Sequence, residues 1–227
     1  IKDFKIKNKL INVNESVFII AEIGLNHNGD FNLAKKLISL ASDAGADCVK
    51  FQMRNMSDLY SLKGENDISA DLSTQYTLDL LKKSYLSNDE YFRLFDFCKK
   101  NNVIPLCTPW DIASVDALES YGMEAYKVAS ADFTNHELLR KLSTTNKPLI
   151  CSTGMSSEVE IGLSVNFLKE RGVDFALLHC NSTYPTPFKD INLNYLENLK
   201  KYEVQVGYSG HERGFSVPLA AVALGAT

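Results

Sequence analysis

The chain is poor in the features that mark several protein classes. No apolar stretch approaches the about 18 residues of a membrane span, and no signal peptide precedes the first apolar segment. A cytoplasmic protein that does not enter membranes is expected. No Pro-, Gly- or Ser-rich linker interrupts the sequence, so residues 1–227 are read as one domain. Positive charge is not in excess either: 24 basic and 28 acidic side chains leave a formal charge of −4, which offers nucleic acid no general attraction. Any anionic ligand must be held by local cations. The five cysteines are odd in number and form no CxxC pair. Cys48, Cys107, Cys151 and Cys180 each sit in a short apolar run and read as reduced, buried thiols.

What is present is a run of short, β-branched apolar segments, each followed by a helical pattern. The segments are Val17–Ile23, Cys48–Met53, Val103–Cys107, Ala125–Ala129, Pro148–Cys151, Phe175–Cys180 and Val204–Tyr208. The first helix is expected over Phe31–Ala44, with Leu33, Leu37, Leu40 and Ala44 on one face. A polar excursion from Arg54 to about Ser73 is too long for an ordinary connection and reads as a functional loop. A helical stretch near Thr77–Lys83 leads to Ser87-Asn-Asp-Glu90, a capping box opening a helix to about Lys100. Further helices are expected over Ala113–Tyr121, Glu137–Ser143, Ser157–Arg171, Leu193–Lys201 and Val217–Leu224.

Seven βα units with mostly short links and no antiparallel hairpin signal predict a (β/α)₈ TIM-type barrel that lacks its last βα unit. An open doubly wound sheet is the alternative, but no GxGxxG turn follows the first strand. Such barrels need about 250 residues. The chain has 227 and begins at Ile1 rather than methionine, so it is read as a truncated piece of a longer polypeptide.

In a parallel barrel the active site lies at the carboxyl ends of the strands, and polar residues are dense there. Glu22, Lys50, Gln52, Thr108, Lys127, Ser130, Ser152, Asn181, Ser182, Tyr184, Ser209 and His211 all fall at such positions. Side chains alternate along a strand, so Lys50 and Gln52 share a face while Phe51 points toward the helices. A lysine inside a barrel is costly unless neutralised, and Lys50 and Lys127 together, flanked by hydroxyls, imply a phosphate or carboxylate ligand. The competing reading pairs Lys50 with Glu22 as a structural ion pair and lets Lys127 reach solvent. Of the four histidines, His211 is the best metal-ligand candidate, although one histidine does not make a site. His27 lies in a Gly-rich turn and suits either substrate contact or a loop role, His136 opens an amphipathic helix at the surface, and His179 is read as packed. Tyr184-Pro-Thr-Pro187 restricts its loop, which either holds Tyr184 over a ligand or merely closes the loop.

The stretches Ile20-Ala-Glu-Ile-Gly-Leu-Asn-His-Asn-Gly29, Ala44-Gly-Ala-Asp-Cys-Val-Lys-Phe-Gln52, Lys127-Val-Ala-Ser130, Ser152-Thr-Gly-Met155, Tyr184-Pro-Thr-Pro187 and Gly207-Tyr-Ser-Gly-His211 together resemble the sialic acid (N-acetylneuraminate) synthase family. That family includes legionaminic and pseudaminic acid synthases. The resemblance implies condensation of phosphoenolpyruvate with N-acetylmannosamine or a related N-acetylated hexose, giving a nine-carbon acid and phosphate. It also implies that Lys50, Thr108, Lys127, Ser130, Ser152 and Ser209 bind the phosphate and carboxylate of phosphoenolpyruvate. Glu22, Gln52 and Tyr184 fall where the family contacts the amino sugar, and His211 where it ligates a divalent metal, usually manganese, with magnesium or cobalt as alternatives. Asn181 and Ser182 stand where the family offers phosphoenolpyruvate an amide, shifted by one place.

The same resemblance implies a homodimer, a second metal-binding histidine on an eighth strand and a small C-terminal antifreeze-like domain. Neither the strand nor the domain falls within the 227 residues, so this stretch alone is expected to be weakly active or inactive. Two other functions fit the residues: a Schiff-base aldolase using Lys127 or Lys50, and a barrel that binds a sugar or phosphate without turnover.

Overall fold

A computed structural model describes residues 2–56 and 72–227, with backbone only for 72–77. The expected loop Arg54–Ser73 therefore lies almost entirely outside the described residues. Two compact units form, one from residues 19–123 and the other from 1–18 with 124–227.

In the unit of residues 19–123, strands β3 (Ile20–Gly24), β4 (Cys48–Met53) and β5 (Ile104–Pro109) pair in parallel, with Glu22 opposite Lys50 and Gln52 opposite Thr108. β4 is buried along almost its whole length, as a strand covered on both faces must be. The helices are α1 (Phe31–Asp43), α2 (Leu72–Lys83), α3 (Asn88–Lys100) and α4 (Ile112–Tyr121). Each described start has a local cause. Asp30 accepts from the amides of Asn32 and Leu33, Ser87 and Glu90 form the expected capping box, and Asp111 accepts from Ser114 N–H. The core gathers Phe51, Leu94, Phe95, Leu106 and Ile38, all fully buried. Phe51 meets Phe95 and Tyr91 edge-on at about 6 Å, so it does point into the helical layer.

One detail of α1 differs from expectation. Leu40 is 54% exposed, while Ala34 and Ile38 form the buried line against α3 and β3. Ile38 and Leu40 are two residues apart, which on a helix places them on nearly opposite sides.

In the other unit, parallel strands β6 (Tyr126–Val128), β7 (Leu149–Ser152), β8 (Phe175–Cys180) and β9 (Val206–Ser209) pair in chain order. They alternate with α5 (His136–Ser143), α6 (Glu158–Glu170), α7 (Tyr195–Lys200) and α8 (Ser216–Ala223). Short 3₁₀ turns occupy Ser130–Asp132 and Phe188–Asp190. Ser157 and Glu160 form a second capping box, and Gly172 at φ +67° follows the last turn of α6.

This unit also contains a hairpin that the sequence reading did not anticipate. β1 (Phe4–Ile6) and β2 (Lys9–Ile11) are antiparallel, and Phe4, Ile6 and Ile11 are buried. The hairpin is tied down ahead of β9, where Gln205 donates to the carbonyl of Lys2 at 3.0 Å and Lys2 N–H donates to that of Glu203.

The chain is thus an α/β fold with seven parallel strands, each followed by helix. No helix among the described residues is long and apolar enough to cross a membrane. All five cysteines are free and buried. Burial pushes the Cys98 and Cys151 thiols up to about 12, which keeps them protonated.

Candidate active site

At the carboxyl end of β3 and β4, strand register sets Glu22 beside Lys50, and the two form an ion pair. Lys50 is buried while its partner is half exposed, so solvent screens the pair. Lys50 Nζ also donates to Thr108 Oγ1 at 3.4 Å, a long contact. Of the two readings of Lys50, the ion pair with Glu22 is therefore present. Gln52 lies one residue pair further along the strand, and Arg54 Nη2 donates to its Oε1 at 2.9 Å. The Arg54 guanidinium lies 4.1 Å from the centre of the Trp110 ring.

Gly24 makes this corner possible. Its φ is +51°, and a Cβ there would fall 2.7 Å from Glu22 Oε1 and 3.4 Å from Gln52 Nε2. His27 is wholly buried and accepts the Gly29 N–H at Nδ1, 3.1 Å away, between Phe51 and Tyr91. Burial pushes its pKa down, and the nearby Gly24 carbonyl opposes that shift. Of its two readings, the loop role is the one present.

In the other unit, Lys127 is 5% exposed and does not reach solvent. Its Nζ donates to Ser152 Oγ at 2.5 Å and to the Val128 carbonyl at 2.7 Å. Ser152 is equally buried, so an ammonium and a hydroxyl are fixed together at the ends of β6 and β7. Ser130 Oγ accepts the Gly154 N–H at 3.2 Å and lies 3.0 Å from Cys180 Sγ. Gly154 cannot be larger, because a Cβ there would sit 2.6 Å from the Cys180 carbonyl oxygen. Ser209 ends β9 and pairs in register with Cys180.

After β8 the chain folds back on its own side chains. Asn181 accepts from Thr183 N–H at Oδ1 and donates from Nδ2 to the Asp190 carbonyl, so its amide braces the loop. Its carbonyl lies 2.6 Å from His211 Nδ1, and a carbonyl can only accept, so Nδ1 carries the proton. In the neutral imidazole Nε2 then keeps its lone pair and accepts the Tyr184 hydroxyl proton at 2.7 Å, with the rings stacked 4.0 Å apart. Tyr184 thus ties the loop after β8 to the one after β9. A histidine anchored through Nδ1–H is oriented as metal-ligating histidines commonly are, with Nε2 here taken by the Tyr184 hydroxyl. Among the described residues no group of three or more His, Cys, Asp or Glu side chains could hold a metal. Ser182 lines a hollow of about 420 Å³ with Thr153, Gly154, Asp190 and Tyr195.

The other histidines are structural. His179 donates to the Ile191 carbonyl at 2.7 Å, and burial pushes its pKa down. His136 stacks on Phe167 at 4.7 Å and is half-buried rather than at the surface.

The profile of the NeuB family matches residues 37–227. The chain belongs to that family. Among curated relatives of this NeuB-family chain, N,N'-diacetyllegionaminic acid synthase from Campylobacter jejuni is 41% identical, over 93% of this chain and 66% of the relative. Human N-acetylneuraminate-9-phosphate synthase is 33% identical, over 92% of this chain and 59% of its own length. The chain therefore spans less than two thirds of either relative. The crystal structure of N-acetylneuraminic acid synthetase from Leptospira borgpetersenii, in complex with citrate, is 37% identical with a TM-score of 0.89 over 99% of this chain and 75% of that one. A truncated 3-deoxy-D-arabino-heptulosonate 7-phosphate synthase from Thermotoga maritima, 15% identical with a TM-score of 0.71, shares the fold alone.

Within this NeuB-family chain the structure brings together Glu22 with Lys50, Lys127 with Ser152, and Tyr184 with His211 and Asn181. Lys50 belongs to one compact unit and Lys127 to the other. Arg54 and Trp110, which lie beside Gln52, were not among the expected residues. The available signal was strand alternation, which puts position 54 on the side of 50 and 52.

Proposed function

We propose that the protein condenses phosphoenolpyruvate with an N-acetylated hexose to give a nine-carbon sialic-type acid and phosphate. The observation that carries this reading is the buried Lys127–Ser152 pair at the strand ends of a NeuB-family chain. A fixed ammonium out of bulk water attracts an anion far more strongly than a hydrated one, and phosphoenolpyruvate is a compact trianion. Relatives named for legionaminic and neuraminic acid synthesis support the sugar class, and citrate in the Leptospira structure supports a polyanion-binding family.

The proposed roles are these. Lys127, Ser130, Ser152 and Ser209 bind the phosphate and carboxylate, and Lys50 and Thr108 likewise bind anionic oxygen. Ser182 contacts phosphoenolpyruvate, with Asn181 bracing its loop. Glu22, Gln52 and Tyr184 hold the sugar. His211 gives one ligand to a divalent metal, manganese first and magnesium or cobalt as alternatives, which would polarise the sugar aldehyde as a Lewis acid.

In the reaction, C3 of phosphoenolpyruvate forms a bond to the aldehyde carbon and water adds to C2. The C2–O bond to phosphate then breaks, and phosphate leaves with that bridging oxygen. The barrel is taken to close with an eighth βα unit, followed by an antifreeze-like domain in a homodimeric, cytoplasmic enzyme. Phosphate release by the full-length protein from phosphoenolpyruvate with manganese and a panel of N-acetylated hexoses tests the reading. Release with at least one hexose is expected, and silence across the panel with metal bound would refute it.

A further inference from the structure

We propose that Cys180 is a positioning residue for anion binding: its thiol fills the second lone pair of Ser130 Oγ, which leaves the one Ser130 proton for phosphoenolpyruvate. This rests on the binding role proposed above for Ser130. A hydroxyl has one proton and two lone pairs, and an anion offers acceptors only, so Ser130 serves an anion only by donating. One lone pair of Oγ accepts the Gly154 N–H, at 3.2 Å. Cys180 Sγ stands 3.0 Å from the same oxygen. Strand register turns Cys180 to the side of the sheet that carries the proposed ligands. Ser152 pairs with Leu178, two residues before Cys180, and Cys180 itself pairs with Ser209.

A thiol is both a weak donor and a weak acceptor, so this contact runs in either direction. Without an anion, the Ser130 proton can point at Sγ. With one, that proton turns to the anionic oxygen and the thiol proton turns to Ser130 Oγ in its place. Two donors on one oxygen strengthen its own proton as a donor, because hydrogen bonds in a chain polarise one another. Cys180 is 5% exposed, so bulk water does not stand in for the thiol. Gly154 allows the close approach: a Cβ there would lie 2.5 Å from Cys180 Sγ. Ser130, Gly154 and Cys180 all belong to the unit that contains residues 124–227.

The test is calorimetric titration of the full-length protein with phosphoenolpyruvate, alongside the steady-state KM for an N-acetylated hexose. Cys180→Ala removes the thiol and should weaken phosphoenolpyruvate binding about fivefold, the equivalent of one hydrogen bond, with the KM for the hexose within about twofold of wild type. Cys180→Ser keeps a donor and should restore most of that loss. In a Ser130→Ala background, Cys180→Ala should cost less than about twofold, because the hydroxyl through which the thiol acts is gone. If Ser130→Ala does not fold, Cys180→Ala and Cys180→Ser carry the test. Wild-type affinity in Cys180→Ala, an equal loss in Cys180→Ser, a loss that persists without Ser130, or a parallel rise in the hexose KM would each overturn the role of Cys180 alone. A wild-type protein that binds no phosphoenolpyruvate would overturn the proposed function and this inference with it.

Discussion

Tyr184 donates its hydroxyl proton to His211 Nε2 at 2.7 Å while stacking on the same ring. The lone pair proposed to bind a metal is thus shared with a neighbour on the post-β8 loop. A neutral hydrogen bond is worth about 1 kcal/mol, which corresponds to about fivefold in affinity. Tyr184→Phe should therefore bind manganese as tightly as wild type or up to about fivefold more tightly, whereas His211→Ala should weaken binding at least about tenfold. Titration of free manganese by electron paramagnetic resonance reads both, and unchanged affinity in His211→Ala would remove that residue from the metal site.

Lys127 is fixed by Ser152 and Val128, so its charge can be removed with little change in shape. Lys127→Met should weaken phosphoenolpyruvate binding more than about a hundredfold by calorimetry, as expected for a desolvated charge pair. Wild-type affinity would refute the anion-binding role. Borohydride treatment with substrate should leave Lys127 and Lys50 unmodified, and an adduct on either would favour the Schiff-base alternative.

Gly24 combines a φ of +51° with the close approach of Glu22. Gly24→Ala should cost about 1–2 kcal/mol in stability from backbone strain and push the Glu22 carboxylate aside. Chemical denaturation checks the first effect. A raised KM for the hexose checks the second, and a fully wild-type variant would contradict both.

Stability should fall on acidification through buried histidines. His27 and His179 both have pKa values lowered by burial, so below the ordinary histidine range the unfolded chain binds protons that the folded chain does not. Their contribution is complete above the unfolded-state pKa and is lost as pH falls through it toward the lower folded value. His179→Gln should flatten that slope in denaturant midpoints between about pH 7 and 5. An identical slope would show that His179 takes up its proton equally in both states.

The Ser87 capping box should be worth about 1 kcal/mol, read as the loss in Ser87→Ala. Its hydrogen bonds lower the Glu90 pKa, so Glu90 contributes fully above its unfolded value and loses that contribution as pH falls through its folded one. The difference between wild type and Glu90→Gln should accordingly shrink below about pH 4. A difference that persists at low pH would assign the effect to something other than the carboxylate.

Much of the fold was legible because its signals are local. β4 reads from Cys48-Val-Lys-Phe-Gln-Met53, and the Ser87 capping box reads from a serine and a glutamate three residues later. The β1–β2 hairpin was not legible: its strands have three residues each, and in the Lys7-Asn8 turn it is Lys7, not Asn8, that takes a positive φ, +55°. The polar strand ends were visible as positions, but their partners were not. Register alone places Glu22 opposite Lys50, and only tertiary packing buries Lys127 against Ser152. Arg54 was hidden because its meaning depends on Trp110, fifty-six positions away in the chain.

The most direct test of the proposed chemistry uses phosphoenolpyruvate labelled with ¹⁸O at the bridging C–O–P position. Incubated with the protein, manganese and an N-acetylated hexose, it should release phosphate that retains the label, together with a nine-carbon acid and only when the hexose is present. Unlabelled phosphate, or release that does not depend on the hexose, would contradict the account.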